Sequence, residues 1–150
     1  MWNDLGEYIA NLCDYKNDGD ISDFNNHNSS YDNYNSPCNV VEIAIGKFFS
    51  VADYLKNYDS NIICFTAIDI APANFDIIFD DITNPDMSIY EGVDIIYSIR
   101  PPQELQPYIG DIVNKVGATL IIKPFFNEDL NIDIKMKLVN YKEAIFYQSI

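Results

Sequence analysis

The run Asn39 to Leu55, NVVEIAIGKFFSVADYL, constrains this chain more than any other stretch. Val40, Val41, Ile43 and Ile45 make an apolar run with Glu42 inside it, the pattern of a parallel strand buried on both faces. Gly46 permits a tight turn. Phe48, Val51, Ala52 and Leu55 then recur at the spacing of one helical face. Strand, glycine turn and helix make the first half of a βαβ unit, and the helix N-terminus offers unpaired N–H groups to a polar or anionic ligand.

The remaining elements follow in order. Trp2, Leu5, Ile9 and Leu12 repeat at helical spacing and predict an amphipathic helix over residues 3–14. Asp14 to Pro37 is rich in Asn, Asp and Ser, keeps no period, and reads as a long loop or insertion over 14–37. Its acids lack the order of a calcium loop, so no metal site is assigned there. Ile62–Ile68 is a second apolar strand ending at Asp69, and Phe75–Phe79 a third, followed by Asp80, Asp81 and Ile82. The link between those two is about half the usual length of a parallel crossover, which leaves room for a compact loop or a single turn.

Asn84–Glu91 reads as a turn or short helical piece, and Val93–Ile99 as the fourth strand, leading into Arg100-Pro101-Pro102. Leu105, Ile109, Ile112, Val113 and Val116 share a helical face that Gly117 closes as a left-handed cap, and Pro107 sits in the first turn. Ala118–Lys123 is a fifth strand. Ile132, Ile134, Met136 and Leu138 alternate with polar residues, Asn140–Glu143 turns the chain, and Ala144–Ile150 runs back, an antiparallel hairpin. The fold class is α/β: a three-layer Rossmann-like sheet of order 3-2-1-4-5 with an antiparallel C-terminal hairpin, in one domain over residues 1–150.

Composition excludes some functions. A net charge of −14 repels phosphate backbones, and Lys123, Lys135, Lys137 and Lys142 scatter along strand edges, so non-specific nucleic-acid binding is not expected. Cys13, Cys38 and Cys64 form no CxxC pair, which fits reduced thiols and no disulfide framework. His27, the single histidine, lies among asparagines and serines and reads as a solvated loop residue rather than a metal ligand. The sequence has no signal peptide and no apolar run of membrane-spanning length, which points to the cytoplasm and no membrane partner.

In a sheet of order 3-2-1-4-5, ligands bind above the carboxyl ends of the first and fourth strands. Four groups converge there: the turn around Gly46, Asp69, the Asp80–Asp81–Ile82 segment, and Ser98 to Pro102. Gly46 has no Cβ and admits a close backbone approach. Asp69 can accept from ribose hydroxyls, Asp81 from an adenine amino group, while Ile82 packs on the base. Arg100 can pair with a carboxylate or phosphate on a turn stiffened by Pro101 and Pro102. Taken singly, each residue has a plain structural reading as turn, cap or ion pair. The chain has no Ser–His–Asp or Cys–His set, and no catalytic residue is assigned.

VVEIAIG, TAID, FDDI and VDIIYSIRPP, in this order, resemble a reduced class I S-adenosylmethionine-dependent methyltransferase fold. More closely, VVEIAIGKFF, the aspartate of TAID and YSIRPPQEL are similar to an uncharacterised family of small Rossmann-like proteins from methanogenic archaea. The resemblance covers Trp2–Leu12 and Asn39 onward. It implies S-adenosylmethionine as cofactor, with Glu42, Ala44, Gly46, Asp69, Asp81, Ile82 and Ser98 around it. It implies a small adenosyl partner, with the acceptor oriented by Arg100, Pro101 and Pro102. Two glycines of the methyltransferase first motif are replaced here, by Ala44 and Phe48. An NAD- or nucleotide-binding module and a non-catalytic Rossmann-like interaction protein remain as alternatives; Asp69 suits a free 2′-hydroxyl and so NAD over NADP.

Overall fold

The central strand β1 (Cys38–Ile43) is dry on both faces, and its alternate side chains open two separate cores. Val40 packs into one with Leu5, Ile9, Val51 and Leu55. Val41 and Ile43 pack into the other with Ile109, Ile112 and Val113. A period of two across a sheet therefore demands a helical layer on each side. The computed structural model describes residues 1–21 (17–21 by backbone), 36–125 and 128–150.

Five parallel strands, β1, β2 (Ile63–Asp69), β3 (Ile77–Phe79), β4 (Ile95–Ile99) and β5 (Thr119–Lys123), meet an antiparallel hairpin, β6 (Met136–Tyr141) and β7 (Ala144–Ser149). The strand order is β3-β2-β1-β4-β5-β7-β6, as the sequence predicts for its parallel part, with the hairpin added through β7 on β5. One face carries α1 (Trp2–Ile21) and α2 (Ser50–Lys56); the other carries α3 (Gln106–Val116). Pro107 stands in the first turn of α3 and Gly117 ends it at φ 73°, both as expected.

α1 runs antiparallel to the parallel strands. Near its start Trp2 meets Arg100 beyond the end of β4, and later Lys16 pairs with Asp94 just before β4 begins. Its middle is fastened to the hairpin: Tyr141 Oη donates to Glu7 at 2.8 Å, Lys142 pairs with the same carboxylate at 2.8 Å, and Tyr8 packs edge-on against Phe146. Tyr58 Oη donates to Asp14 at 2.8 Å and ties α1 to the end of α2.

The structure corrects several boundaries. The first helix continues to Ile21, so residues 14–21 are helical and not loop, because Asp14 and Lys16 find partners beneath it. The rest of the Asn-rich segment from 22 to 35, His27 included, lies outside the described residues. The third strand shrinks to Ile77–Phe79, since Phe75 lies in the connecting loop fully exposed. That loop holds no helix, in keeping with its short length. Ile132 and Ile134 precede β6 and pack toward Gly110 of α3, so their alternation marks a segment leaning on a helix.

The expectation of three reduced cysteines is overturned. Cys13 of α1 and Cys38 of β1 form a disulfide, with Cα atoms 5.5 Å apart and both side chains buried; Cys64 is free and exposed. Spacing in the sequence could not reveal this pair, because the contact exists only once α1 lies across β1. Among the described residues no helix is long and apolar enough to cross a membrane.

Two measurements check these contacts. A Cβ on Gly6 would stand 2.7 Å from Tyr54 Cδ1 and 3.1 Å from Tyr54 Cβ, too deep in that side chain for it to swing aside. Gly6→Ala gains about 1 kcal/mol of helix propensity but incurs an overpacking cost of about 1–3 kcal/mol. The expected outcome is a lower Tm that Tyr54→Ala, in the double variant, partly restores. Thiol titration of protein unfolded without reductant should count one reactive cysteine, Cys64. Reduction should lower stability by about 3 kcal/mol, from loop closure in the unfolded chain.

Candidate functional site

The loop leaving β1 turns on two left-handed residues, Ala44 at φ 59° and Gly46 at φ 60°. Gly46 takes this conformation freely, whereas for Ala44 it costs on the order of 1 kcal/mol. One carboxylate secures the turn. Asp69, at the end of β2, accepts from the Gly46 N–H at 2.8 Å through Oδ2 and from the Ala71 N–H at 2.8 Å through Oδ1. It thus binds the loop after β1 to the loop after β2. α2 starts only at Ser50 and has seven residues, so the expected helix N-terminus does not follow directly on the glycine turn.

Beside this turn, above the carboxyl ends of β1, β2 and β3, lies a cavity of about 60 Å³. Ile43, Ala44, Ile68 and Ile82 give it apolar walls, Asp69, Asp80 and Asp81 its polar groups, and Ile70 and Leu105 complete the lining. The volume holds a few waters, against about 300 Å³ or more in a usual small-molecule pocket.

The three acids are not equivalent. Asp80, 5% exposed, accepts from Tyr90 Oη at 2.6 Å and from the Asp86 N–H at 3.0 Å, which commits it to structure. Burial first, and Asp80 second, push the Tyr90 hydroxyl well above its ordinary pKa, so it stays a donor. Asp81 accepts from the Thr83 N–H and hydroxyl, both through Oδ1, at 3.0 and 2.7 Å. Its Oδ2 has no hydrogen-bond partner among the described residues, which makes it the most available acceptor of the cavity.

Ala44, Asp69, Asp81 and Ile82 thus come together in one cavity, and Gly46 stands at its edge through its bond to Asp69. Glu42 does not join them. It points to the α1–α2 face, 1% exposed, and accepts from Tyr97 Oη at 2.5 Å; burial pushes its carboxyl up to about 8. Ser98 is fully buried and donates to the Ile43 carbonyl at 2.7 Å, a clasp between β4 and β1. Pro101 is buried, with its carbonyl accepting from Gln106 Nε2 at 3.2 Å, while Pro102 is exposed.

Arg100, at φ 54°, lies with Cζ 5.2 Å from the Trp2 ring centroid and 5.4 Å from that of Phe125. Phe48, which stands where the methyltransferase pattern has a glycine, turns to meet Trp2 edge-on at 4.7 Å and is absent from the cavity lining. Ile43, Ile68, Ile70 and Leu105 in the cavity, and Trp2 and Phe125 beside Arg100, are the neighbours that sequence reasoning missed; Asp80 reaches the cavity as expected, but committed to Tyr90 and Asp86. Strand-end position alone marked Ile43 and Ile68; nothing local marked Trp2.

Five parallel strands in the order β3-β2-β1-β4-β5, closed by the antiparallel β7-β6 pair, define a Rossmann-like fold class. The chain is similar to a solved S-adenosylmethionine-dependent methyltransferase from Aquifex aeolicus at TM-score 0.51 and 13% identity, over 77% of this chain and 82% of that one. That likeness is one of fold. The chain belongs to the uncharacterised protein family UPF0146, whose sequence profile matches residues 25–150. A relative from Methanothermobacter thermautotrophicus is 39% identical over 150 residues, covering 100% of this chain and 96% of the relative. One from Methanocaldococcus jannaschii is 45% identical over 117 residues, covering 72% and 80%, and one from Archaeoglobus fulgidus 38% over 109, covering 72% and 81%.

The buried Glu42 carries a pH prediction. Unfolded, its carboxyl loses its proton near the ordinary 4.5; folded, it keeps the proton until about 8. The unfolded state binds fewer protons in that window, so stability falls as pH rises through it. Glu42→Gln keeps an acceptor for Tyr97 and never ionises. Its Tm should fall less than that of the wild type between pH 4.5 and 8. At neutral pH it should be the more stable protein, by up to roughly 3 kcal/mol.

Proposed function

We propose that the cavity over β1–β3 binds the adenosyl part of S-adenosylmethionine, and that the protein is a methyltransferase-like adenosyl binder. The observation that carries this reading is the lining itself: an acid ending β2, an available Asp81 oxygen and apolar walls in one cavity over the carboxyl ends of β1–β3, beside the β1–β4 switch point. Ile82 and Ile43 would face the base, Asp81 would accept from its amino group, and Asp69 would use its remaining lone pairs on ribose hydroxyls. The acids around the cavity favour a cationic sulfonium over an anionic dinucleotide. The fold likeness to a methyltransferase supports the same reading.

At about 60 Å³ the cavity must widen to take a nucleoside, and the exposed Ile70 and the half-buried Leu105 are the walls with freedom to move. That reordering lowers affinity relative to a preformed site. The bound cofactor would supply the methyl group. The chain's part in transfer would be to hold the acceptor in line and exclude water, which needs little acid–base chemistry. Ser98 is spent on Ile43, so the acceptor would meet the exposed residues of the turn after β4.

Isothermal titration calorimetry of the full chain with S-adenosylmethionine, S-adenosylhomocysteine and NAD tests the proposal. Micromolar binding of the first two and none of NAD is expected. Asp81→Asn should weaken binding about tenfold or more, with Tm nearly unchanged, since its remaining oxygen still accepts from Thr83 while the available Oδ2 is replaced by a donor. NAD binding alone would move the protein to the dinucleotide class, and no binding at all would favour a non-catalytic interaction module.

A further inference from the structure

Arg100 is the only arginine in a chain with 23 acidic residues, yet it forms no ion pair among the described residues. Its neighbour is another cation. The Arg100 N–H donates to the Lys123 carbonyl at 2.6 Å, and Lys123 has its pKa lowered by burial first and by the Arg100 charge second. Among the described residues Lys123 Nζ has one bond, to the Ile145 carbonyl at 2.7 Å. Two cations side by side repel, and Arg100 also holds a left-handed backbone that a residue with a Cβ resists. A role in packing alone would need neither cost.

The surroundings aim the guanidinium. Trp2 stands on it from the start of α1 and Phe125 from the loop after β5. Aromatic rings at cation–π distance restrict a guanidinium, and its side-chain N–H groups have no acceptor among the described residues, which leaves the fork that takes a carboxylate or phosphate with two parallel bonds. Trp2 also touches Phe48, in the loop that carries Ala44 and Gly46, and β4 pairs with β1. The arginine therefore stands beside the cavity loop, on the opposite face of the sheet ends.

We propose that Arg100 and Lys123, walled by Trp2 and Phe125, form a binding site for an oxyanion, a carboxylate or a phosphate carried by a small-molecule ligand. On a surface of net charge −14 an anion gains nothing from the general field, so recognition has to come from this local fork. The site goes beyond the adenosyl reading and stands without it.

Trp2, the only tryptophan, reports on this site directly. Its fluorescence in the full chain is followed while inorganic phosphate, or in a second series acetate, is added at constant ionic strength made up with sodium chloride. A saturable change is expected with at least one of the two. Tighter phosphate binding assigns a phosphoryl ligand, and equal or tighter acetate binding a carboxylate. Arg100→Gln should weaken the interaction tenfold or more with Tm unchanged, and Arg100→Lys should weaken phosphate binding several-fold because the charge stays and the fork is lost. Absence of a saturable change with both ions, or wild-type affinity in Arg100→Gln, overturns the proposal. These titrations contain no adenosyl compound, and calorimetry with S-adenosylmethionine contains no added oxyanion, so either reading can fail alone.

Discussion

Everything in this fold answers to the burial of β1 on both faces. A strand with no water on either side needs a helical layer above and below, and this small chain fills those layers unequally. α3 covers one face. On the other, the seven-residue α2 is too short to cover β1, β4, β5 and β7, and the twenty-residue α1 lies across them. The N-terminal helix is then structural, which is why a disulfide, an ion pair with the hairpin and a Tyr–Asp bond all fasten it. The same arrangement leaves β3 poorly covered: Ile78 and Phe79 on its two faces stay exposed because the crossover before it holds no helix.

The site inherits its shape from that frame. Polar side chains at strand ends first have to satisfy the loops they start, and only the surplus is left for a ligand. Asp69 uses each of its oxygens once on backbone N–H groups, Asp80 is spent on Tyr90 and Asp86, and Ser98 on Ile43. Among the described residues Asp81 keeps an oxygen unused, and Arg100 keeps its whole fork. These two residues are the ones on which the two binding proposals rest.

The parallel strand order was legible because β1, β2, β4 and β5 are near-continuous apolar runs and each loop between them carries turn chemistry. Gly117 as a left-handed cap and the helixless link before β3 were legible for the same local reason. The length of α1 was not, since Asp14–Lys16 looks like loop until Tyr58 and Asp94 supply partners distant in sequence. The pairing of Cys13 with Cys38 is of the same kind. Topology brought Ala44, Asp69, Asp81 and Ile82 to one cavity, but the direction of Glu42 depends on strand parity. Counting from Val41 and Ile43, both on the α3 face, assigns Glu42 to the other side.

Phe48 shows why a lost glycine need not close a site. In the methyltransferase pattern a glycine at that point keeps the backbone open to the cofactor, and a phenyl ring there suggests obstruction. α1 removes the conflict by presenting Trp2, and the ring turns to the α1 face, where it packs edge-on against the indole. What narrows the cavity is smaller and nearer: the methyl of Ala44, on a backbone that a glycine would hold without strain, and the side chains of Ile70 and Leu105. By drawing Phe48 and Arg100 to the same indole, Trp2 converts a sequence departure into an organised rim. The three acids of the cavity fall on one side of the strand ends and the chain's one guanidinium on the other. A ligand that bridges them would have to be cationic or neutral at one end and anionic at the other.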